Sequence, residues 1–140
     1  MQWNARTQYA CLAAVELARH YRAGLPIQIK TISERLDIPS RFLVQILLQL
    51  KSTGWVNSTR GAAGGYQLTR APSEISIWDI MQSVDSSSDL SLDPTSSVER
   101  VALKRLLQQA QIAYQKVLKE TSLAQLLERI DQQRDPMYFI

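Results

Sequence analysis

Residues 38–69, IPSRFLVQILLQLKSTGWVNSTRGAAGGYQLT, decide the fold. From Pro39 to Lys51, the residues Leu43, Ile46, Leu47 and Leu50 recur at the i, i+3, i+4, i+7 spacing that gathers side chains on one side of a helix. Arg41, Val44, Gln45 and Leu48 fall on the other side. Pro39 and Ser40 suit the start of this helix, because proline is pre-set for a first turn and a serine hydroxyl can accept from free amide groups. Gly54 is expected to close it in the left-handed conformation. Trp55-Val56-Asn57-Ser58 and Tyr66-Gln67-Leu68-Thr69 then read as two short strands, with Thr59 to Gly65 as a glycine-rich tip that carries Arg60. A helix followed by an arginine-tipped hairpin is the layout of a winged helix-turn-helix, so the expected fold class is mainly α with a small β wing.

Charge points the same way. Between Ile38 and Ser73 there is no Asp or Glu, while Arg41, Lys51, Arg60 and Arg70 all fall inside. Residues 1–85 hold nine Lys/Arg against six Asp/Glu, and residues 86–140 seven against seven, so the formal net charge of +3 belongs to the first part. A local absence of acids fits a polyanionic partner better than the whole-chain balance does. At 140 residues and 45% apolar content the chain can build a core. No apolar run approaches the ~20 residues that cross a bilayer, and the N-terminus lacks the order of a signal peptide, so a cytoplasmic protein is expected.

Outward from the central stretch, Asn4 can cap a first helix to about Tyr21, in which Tyr9, Leu12, Ala13, Val15, Glu16 and Leu17 give an apolar pattern ending before Gly24. Cys11 in that helix reads as a small buried hydrophobe, and His20 as a surface or helix-end residue. Leu25-Pro26-Ile27-Gln28 can supply a short strand for the hairpin. Lys30 to Leu36 is a second helix, and Asp37-Ile38-Pro39 a turn forced by proline, completing a helix-turn-helix. Pro72 ends the second wing strand. Ser76 and Asp79 form a capping box for a helix through Val84, with Ile77, Ile80, Met81 and Val84 as its apolar face. Residues 86–97 are polar and without helical period, a linker between a DNA-binding domain, 1–85, and a dimerisation unit, 98–140. Ser96 with Glu99 suggests a capping box for a helix from Val98 to Lys119. Its stripe of Val98, Val101, Ala102, Leu106, Ala110, Ala113 and Val117, widened by Leu103, Leu107, Tyr114 and Leu118, asks for a partner, most simply the same helix of a second subunit. Thr121-Ser122-Leu123 breaks that helix and caps a last one, to about Gln133, before a loose tail from Pro136 to Ile140.

Two stretches together resemble the Rrf-two family of bacterial transcription regulators, which includes iron-sulphur cluster, nitric-oxide and cysteine-metabolism regulators. One is Ile38 to Leu47, similar to that family's recognition helix. The other is Arg60-Gly61-Ala62-Ala63-Gly64-Gly65-Tyr66-Gln67-Leu68 followed by Ile75-Ser76-Ile77-Trp78-Asp79-Ile80. The likeness spans residues 1–85 and reappears from Val117 to Leu126. It implies a homodimer on double-stranded DNA. Two departures stand out. Cluster-binding members carry three cysteines in and after the loop that here runs from Asp85 to Ser97, where this chain has none. Many relatives also carry an acidic residue at Val44, and valine cannot accept a hydrogen bond from cytosine.

On this reading Arg41 and Gln45 face base edges in the major groove, Val44 can touch a thymine methyl, and Ser40 holds a phosphate at the helix N-terminus. Arg60 reaches the adjacent minor groove, and Gly61, Gly64 and Gly65 let the wing backbone approach phosphates. Lys51 and Tyr66 complete the expected DNA-binding set. No catalytic constellation is present, so an enzyme is not expected. No cofactor is expected either, because a cluster usually takes four thiolates and the chain has one cysteine. The alternatives are an iron-sulphur or thiol sensor that uses Cys11 with non-cysteine ligands such as Glu16, His20, Asp85, Asp89 or Asp93, a protein-interaction winged helix, an RNA-binding module, or a regulator with a small-molecule cleft between the Cys11 helix and the long helix. The residues name neither an effector nor repression over activation.

Overall fold

The computed structural model describes residues 4–85 and 97–135. Helix α1 (Ala5–Arg19) starts on Asn4, whose Oδ1 accepts from the Thr7 amide at 2.9 Å. Ala10, Ala13, Ala14 and Leu17 form its buried face, and the three alanines let neighbouring helices approach closely. The helix stops two residues short of Tyr21, with His20 at its C-cap. Helix α2 (Ile29–Leu36) and helix α3 (Ser40–Ser52) make the helix-turn-helix. The turn between them depends on more than the proline. Asp37 sits in the left-handed region at φ 54°, the Ile38 amide donates to the Ser33 carbonyl at 3.1 Å, and the Ser33 hydroxyl donates to the Ile38 carbonyl at 2.6 Å. Ile38 is thereby turned into the core.

The start of α3 departs from expectation. Pro39 is the N-cap and no side chain caps the helix; Ser40 is already helical, and its hydroxyl donates to Ser33 Oγ at 3.2 Å. Its end is as expected. Gly54 adopts φ 89°, its amide reaches the Lys51 carbonyl at 3.1 Å, and the Trp55 amide reaches Leu50 at 3.0 Å, a Schellman closure. Leu43, Ile46, Leu47 and Leu50 are all fully buried, as their spacing predicts.

Strands β1 (Val56–Thr59) and β2 (Gly65–Leu68) pair antiparallel, Val56 opposite Leu68 and Thr59 opposite Gly65, one residue offset from the predicted spans. Ile27 adds an isolated antiparallel bridge to Tyr66, the pairing expected of the Leu25–Gln28 segment. The second strand ends at Leu68, and Pro72 opens a short 3-10 turn, Pro72–Glu74, instead of ending the strand.

Helix α4 (Ile77–Val84) begins on the expected Ser76/Asp79 capping box and buries Ile77, Ile80, Met81 and Val84. Helix α5 (Val98–Lys119) is capped by Ser97, whose hydroxyl accepts from the Arg100 amide at 3.3 Å, in place of Ser96, which lies outside the described residues with most of the expected linker. Helix α6 (Leu123–Arg134) starts on a second capping box, Ser122 with Gln125, and turns back onto the first part of the chain. Leu123 is fully buried, Leu126, Leu127 and Ile130 pack on the core, and Asp131 meets Arg19 at 3.0 Å. The expected tail from Pro136 to Ile140 also lies outside the described residues.

Candidate nucleic-acid interface

Because the buried leucines and isoleucine of α3 consume one face, the other face is turned out by helical geometry alone. Arg41, Val44, Gln45 and Leu48 are exposed on it, with Val44 41% and Leu48 53% accessible. Arg41 lays its guanidinium 4.9 Å from the centre of the neighbouring Phe42 ring, keeping its donors at the surface. Ser40 is exposed at the N-terminal turn. Lys51, at the far end, donates from Nζ to Ser58 Oγ at 2.7 Å and so ties the helix to strand β1.

The wing carries Arg60 exposed at its tip. Gln28 braces that tip by donating from Nε2 to the Ala62 carbonyl at 2.9 Å. Two of the glycines are required by the wing's own packing. A Cβ on Gly64 would lie 2.1 Å from the Thr59 carbonyl oxygen, and one on Gly65, at φ 149°, would lie 2.5 Å from the Ile27 carbonyl carbon and oxygen. Both glycines are explained by the wing's fold on itself and on the Ile27 segment. Gly61, at φ 104°, faces open space and is a turn former. Tyr66 is half-buried against the core, and its amide and carbonyl are both engaged by Ile27.

Sequence reasoning missed one residue of this surface. Arg6 of α1 donates from Nη1 to Gln45 Oε1 at 3.3 Å and from Nη2 to Gln49 Oε1. The partners lie 39 and 43 positions apart, so no local pattern signals the contact.

The remaining candidates separate cleanly. Glu16, read as part of an apolar pattern, is a buried carboxylate that accepts from Arg35 Nε at 3.2 Å and His20 Nε2 at 3.1 Å, clasping α1 to α2. Leu12, from the same pattern, is 41% exposed. Cys11 is half-buried, and burial pushes its thiol up to about 11, which keeps it protonated and poorly nucleophilic near neutral pH. It borders a cavity of about 340 Å³ between α1, α4, α5 and α6, the cleft considered for a small molecule, where the buried Thr7 hydroxyl has no hydrogen-bond partner.

Along α5 no residue is buried. Leu106, Val117 and Val98 are 61%, 63% and 82% exposed, with Ala102, Ala110 and Ala113 open beside them. Ile112, not foreseen, is 68% exposed, whereas Val101 is half-buried. Tyr114 and Leu118 turn to the chain's own core and do not widen the stripe.

A family profile described as "Iron-dependent Transcriptional regulator", Rrf2, matches residues 3–129. The chain belongs to the Rrf2 family. A Mycobacterium tuberculosis protein named as an HTH-type transcriptional regulator, Rv1287, is 35% identical over 129 residues, covering 89% of this chain and 80% of that one. Over 89 residues, 64% of the chain, it is 36% identical to the HTH-type transcriptional regulator IscR of Aliivibrio salmonicida. That match spans 52% of IscR, and the match to the Synechocystis regulator slr0846 spans 58% of that protein, little more than half of either. Among solved structures, T. potens IscR superposes with a TM-score of 0.81 at 26% identity, covering 96% of this chain and 92% of that one. CymR, the global cysteine regulator of B. subtilis, superposes with a TM-score of 0.80 at 25% identity, covering 92% and 98%. These likenesses make the fold a winged helix-turn-helix with a long helix, and the relatives' regulatory role is non-enzymatic. No helix among the described residues is long and apolar enough to cross a membrane.

The described residues do not assemble a site for the iron named in the family description. The chain has one cysteine, and no group of three or more His, Cys, Asp or Glu among the described residues could hold a metal ion. Glu16 and His20, considered as substitute ligands, are paired with each other, and Asp89 and Asp93 lie outside the described residues.

Proposed function

We propose that this Rrf2-family regulator acts in the cytoplasm as a homodimer on a pseudo-palindromic operator. The recognition helix α3 lies in the major groove and the wing over the neighbouring minor groove. The supporting observation is the division of α3 into a fully buried face and an exposed face of Arg41, Val44 and Gln45, in a stretch free of acidic residues. Arg41 and Gln45 meet base edges, Val44 meets a thymine methyl, Ser40 and Lys51 meet backbone phosphates, and Arg60 enters the minor groove. Gly61, Gly64, Gly65 and Tyr66 hold the wing in shape for that contact.

Residues 1–85 then form the DNA-binding part and 98–140 the dimer part, with the seam on Val98, Ala102, Leu106, Ala110, Ala113 and Val117. An α5 of 22 residues is about 33 Å long at 1.5 Å per residue, and its open apolar stripe is covered when two copies pair. Each leucine or valine buried in such a seam contributes about 1.5–3 kcal/mol.

The test is selection of bound duplexes from random DNA, first with the parent protein and then with Gln45→Ala. The expected product is a motif of two half-sites centred about one helical turn apart. Gln45→Ala should cost ~1–3 kcal/mol at one base pair of each half-site and relax the preference there. Loss spread evenly over all sequences would make Gln45 a backbone contact, and a selection without consensus would overturn the function.

A further inference from the structure

We infer that Arg6, which lies outside both the helix-turn-helix and the wing, sets the base that Gln45 reads, by fixing the orientation of its amide. The inference rests on the reading above that Gln45 faces base edges.

A guanidinium has five N–H donors and no acceptor. Its partner on each glutamine must therefore be the amide oxygen, and the usual ambiguity of amide orientation does not arise. Arg6 forks between Gln45 Oε1, at 3.3 Å, and Gln49 Oε1, two residues one turn apart on α3. Gln49 and Arg6 are half-buried and Gln45 is exposed. The inner glutamine thus anchors the guanidinium, and the anchored guanidinium aligns the outer glutamine. Hydrogen bonds to a charged donor are roughly twice as strong as neutral ones, which suits a contact meant to hold an orientation.

An amide oxygen has two lone pairs, so the one engaged by Arg6 leaves the other free beside the NH2 group. A Gln45 amide held this way offers one acceptor next to one donor. Adenine presents the matching pair, N7 as acceptor and the N6 amino group as donor, whereas guanine presents two acceptors, N7 and O6. A glutamine free to turn its amide can give both of its N–H bonds to guanine. A glutamine clamped through its oxygen keeps both N–H groups but is held from turning them end-on, and its free lone pair opposes the acceptors of guanine. Arg6 is thus a positioning residue, acting through Gln45, that favours adenine over guanine at one base of each half-site.

Competitive binding of duplexes that differ only at that base tests this, using parent, Arg6→Met, Arg6→Lys and Gln45→Ala proteins. Equal thermal midpoints for parent and variants establish that folding is unchanged. The parent should favour adenine over guanine roughly tenfold, the scale of a bidentate contact. Both Arg6 variants should bring that ratio to about twofold or below, at the position that Gln45→Ala also relaxes, with the rest of the motif unchanged. Lysine keeps the charge but is a point donor that cannot fork between two amides. Full purine preference in Arg6→Lys, or an even loss of affinity in Arg6→Met, would make Arg6 a phosphate contact and overturn the inference. A parent that favours guanine there would also overturn the inference. If Gln45→Ala relaxes one position and Arg6→Met does not, this inference alone falls; if Gln45→Ala relaxes none, the base-reading role of Gln45 falls first and takes it along.

Discussion

Substituting Gly65 by alanine puts a methyl group where the structure has backbone. The new Cβ would stand 2.5 Å from the carbonyl carbon and oxygen of Ile27 and 2.9 Å from the Gln28 nitrogen, at a residue whose φ is 149°. Backbone cannot swing aside as a side chain can, so the wing must separate from the Ile27 segment. That separation breaks the two reciprocal hydrogen bonds between Ile27 and Tyr66, each 2.8 Å. At about 0.5–1.5 kcal/mol for each of the two bonds, and about 1–3 kcal/mol for forcing a group into filled space, the loss is about 2–6 kcal/mol beyond the backbone penalty itself. Gly61→Ala is the control, because Gly61 also has positive φ, 104°, but faces open space. With a urea slope of about 2 kcal/mol/M, Gly65→Ala should unfold at a midpoint roughly 1–3 M below that of Gly61→Ala. Amide hydrogen exchange at Ile27 and Tyr66 should accelerate in Gly65→Ala alone. Equal midpoints in the two variants would refute the reasoning, and a parent-like midpoint with weakened DNA binding would restore phosphate approach as the reason for the glycine.

Three further outcomes are expected. Arg60→Ala should reduce the salt dependence of DNA binding by about one unit of slope if the wing tip meets phosphate, or weaken binding only at A·T-rich flanks if it enters the minor groove; unchanged affinity at every salt concentration would remove the wing from the interface. Leu106→Asp should leave the subunit folded, since this side chain is 61% exposed in the single chain, but bury a charge in the α5 seam at a cost of several kcal/mol. Light scattering should then report monomers, and a persistent dimer would move the seam elsewhere. Because burial raises the Cys11 thiol to about 11, the nucleophilic thiolate is on the order of one part in a thousand at pH 8 and grows as pH climbs towards that value. Alkylation of the folded protein should accelerate through pH 10, and a rate already level at pH 9 would show a thiol open to solvent.

What could be read in the chain depended on how far apart the deciding atoms lie. Asn4, Gly54, Ser76 with Asp79, and Ser122 with Gln125 act within one turn of themselves, and each marks its helix end as its chemistry demands. The buried faces of α3 and α4 follow from period alone. Ser40 misled because Pro39 could take the cap position and leave the hydroxyl to Ser33, seven residues back. Gly64 and Gly65 were legible as glycines of a turn, but the reason for Gly65 is an approach by Ile27, which pairs only once the sheet forms. Glu16 reads as one more member of an apolar pattern, because the Arg35 that pairs with it comes from α2. Arg6 carried no signal at all, because its partners are defined by how α1 crosses α3.

The starts of α4 and α6 are tied together: Ser76 and Ser122, each the cap of its helix, form an antiparallel bridge, with Ile77 N–H on the Thr121 carbonyl at 2.9 Å and Leu123 N–H on the Ile75 carbonyl at 2.8 Å. The C-terminal end of α5 runs straight into this knot, where the Thr121 hydroxyl donates to the Val117 carbonyl at 2.8 Å. The knot therefore works as a phase lock. One residue inserted between Val117 and Thr121 would rotate the apolar stripe of α5 by about 100° against the body that carries α3, since a helix turns once every 3.6 residues. In a dimer closed along that stripe, the same insertion would swing the two recognition helices out of register with the DNA. In such a dimer the spacing of half-sites would be set in part by residues 118–120, which lie outside the proposed base-reading face.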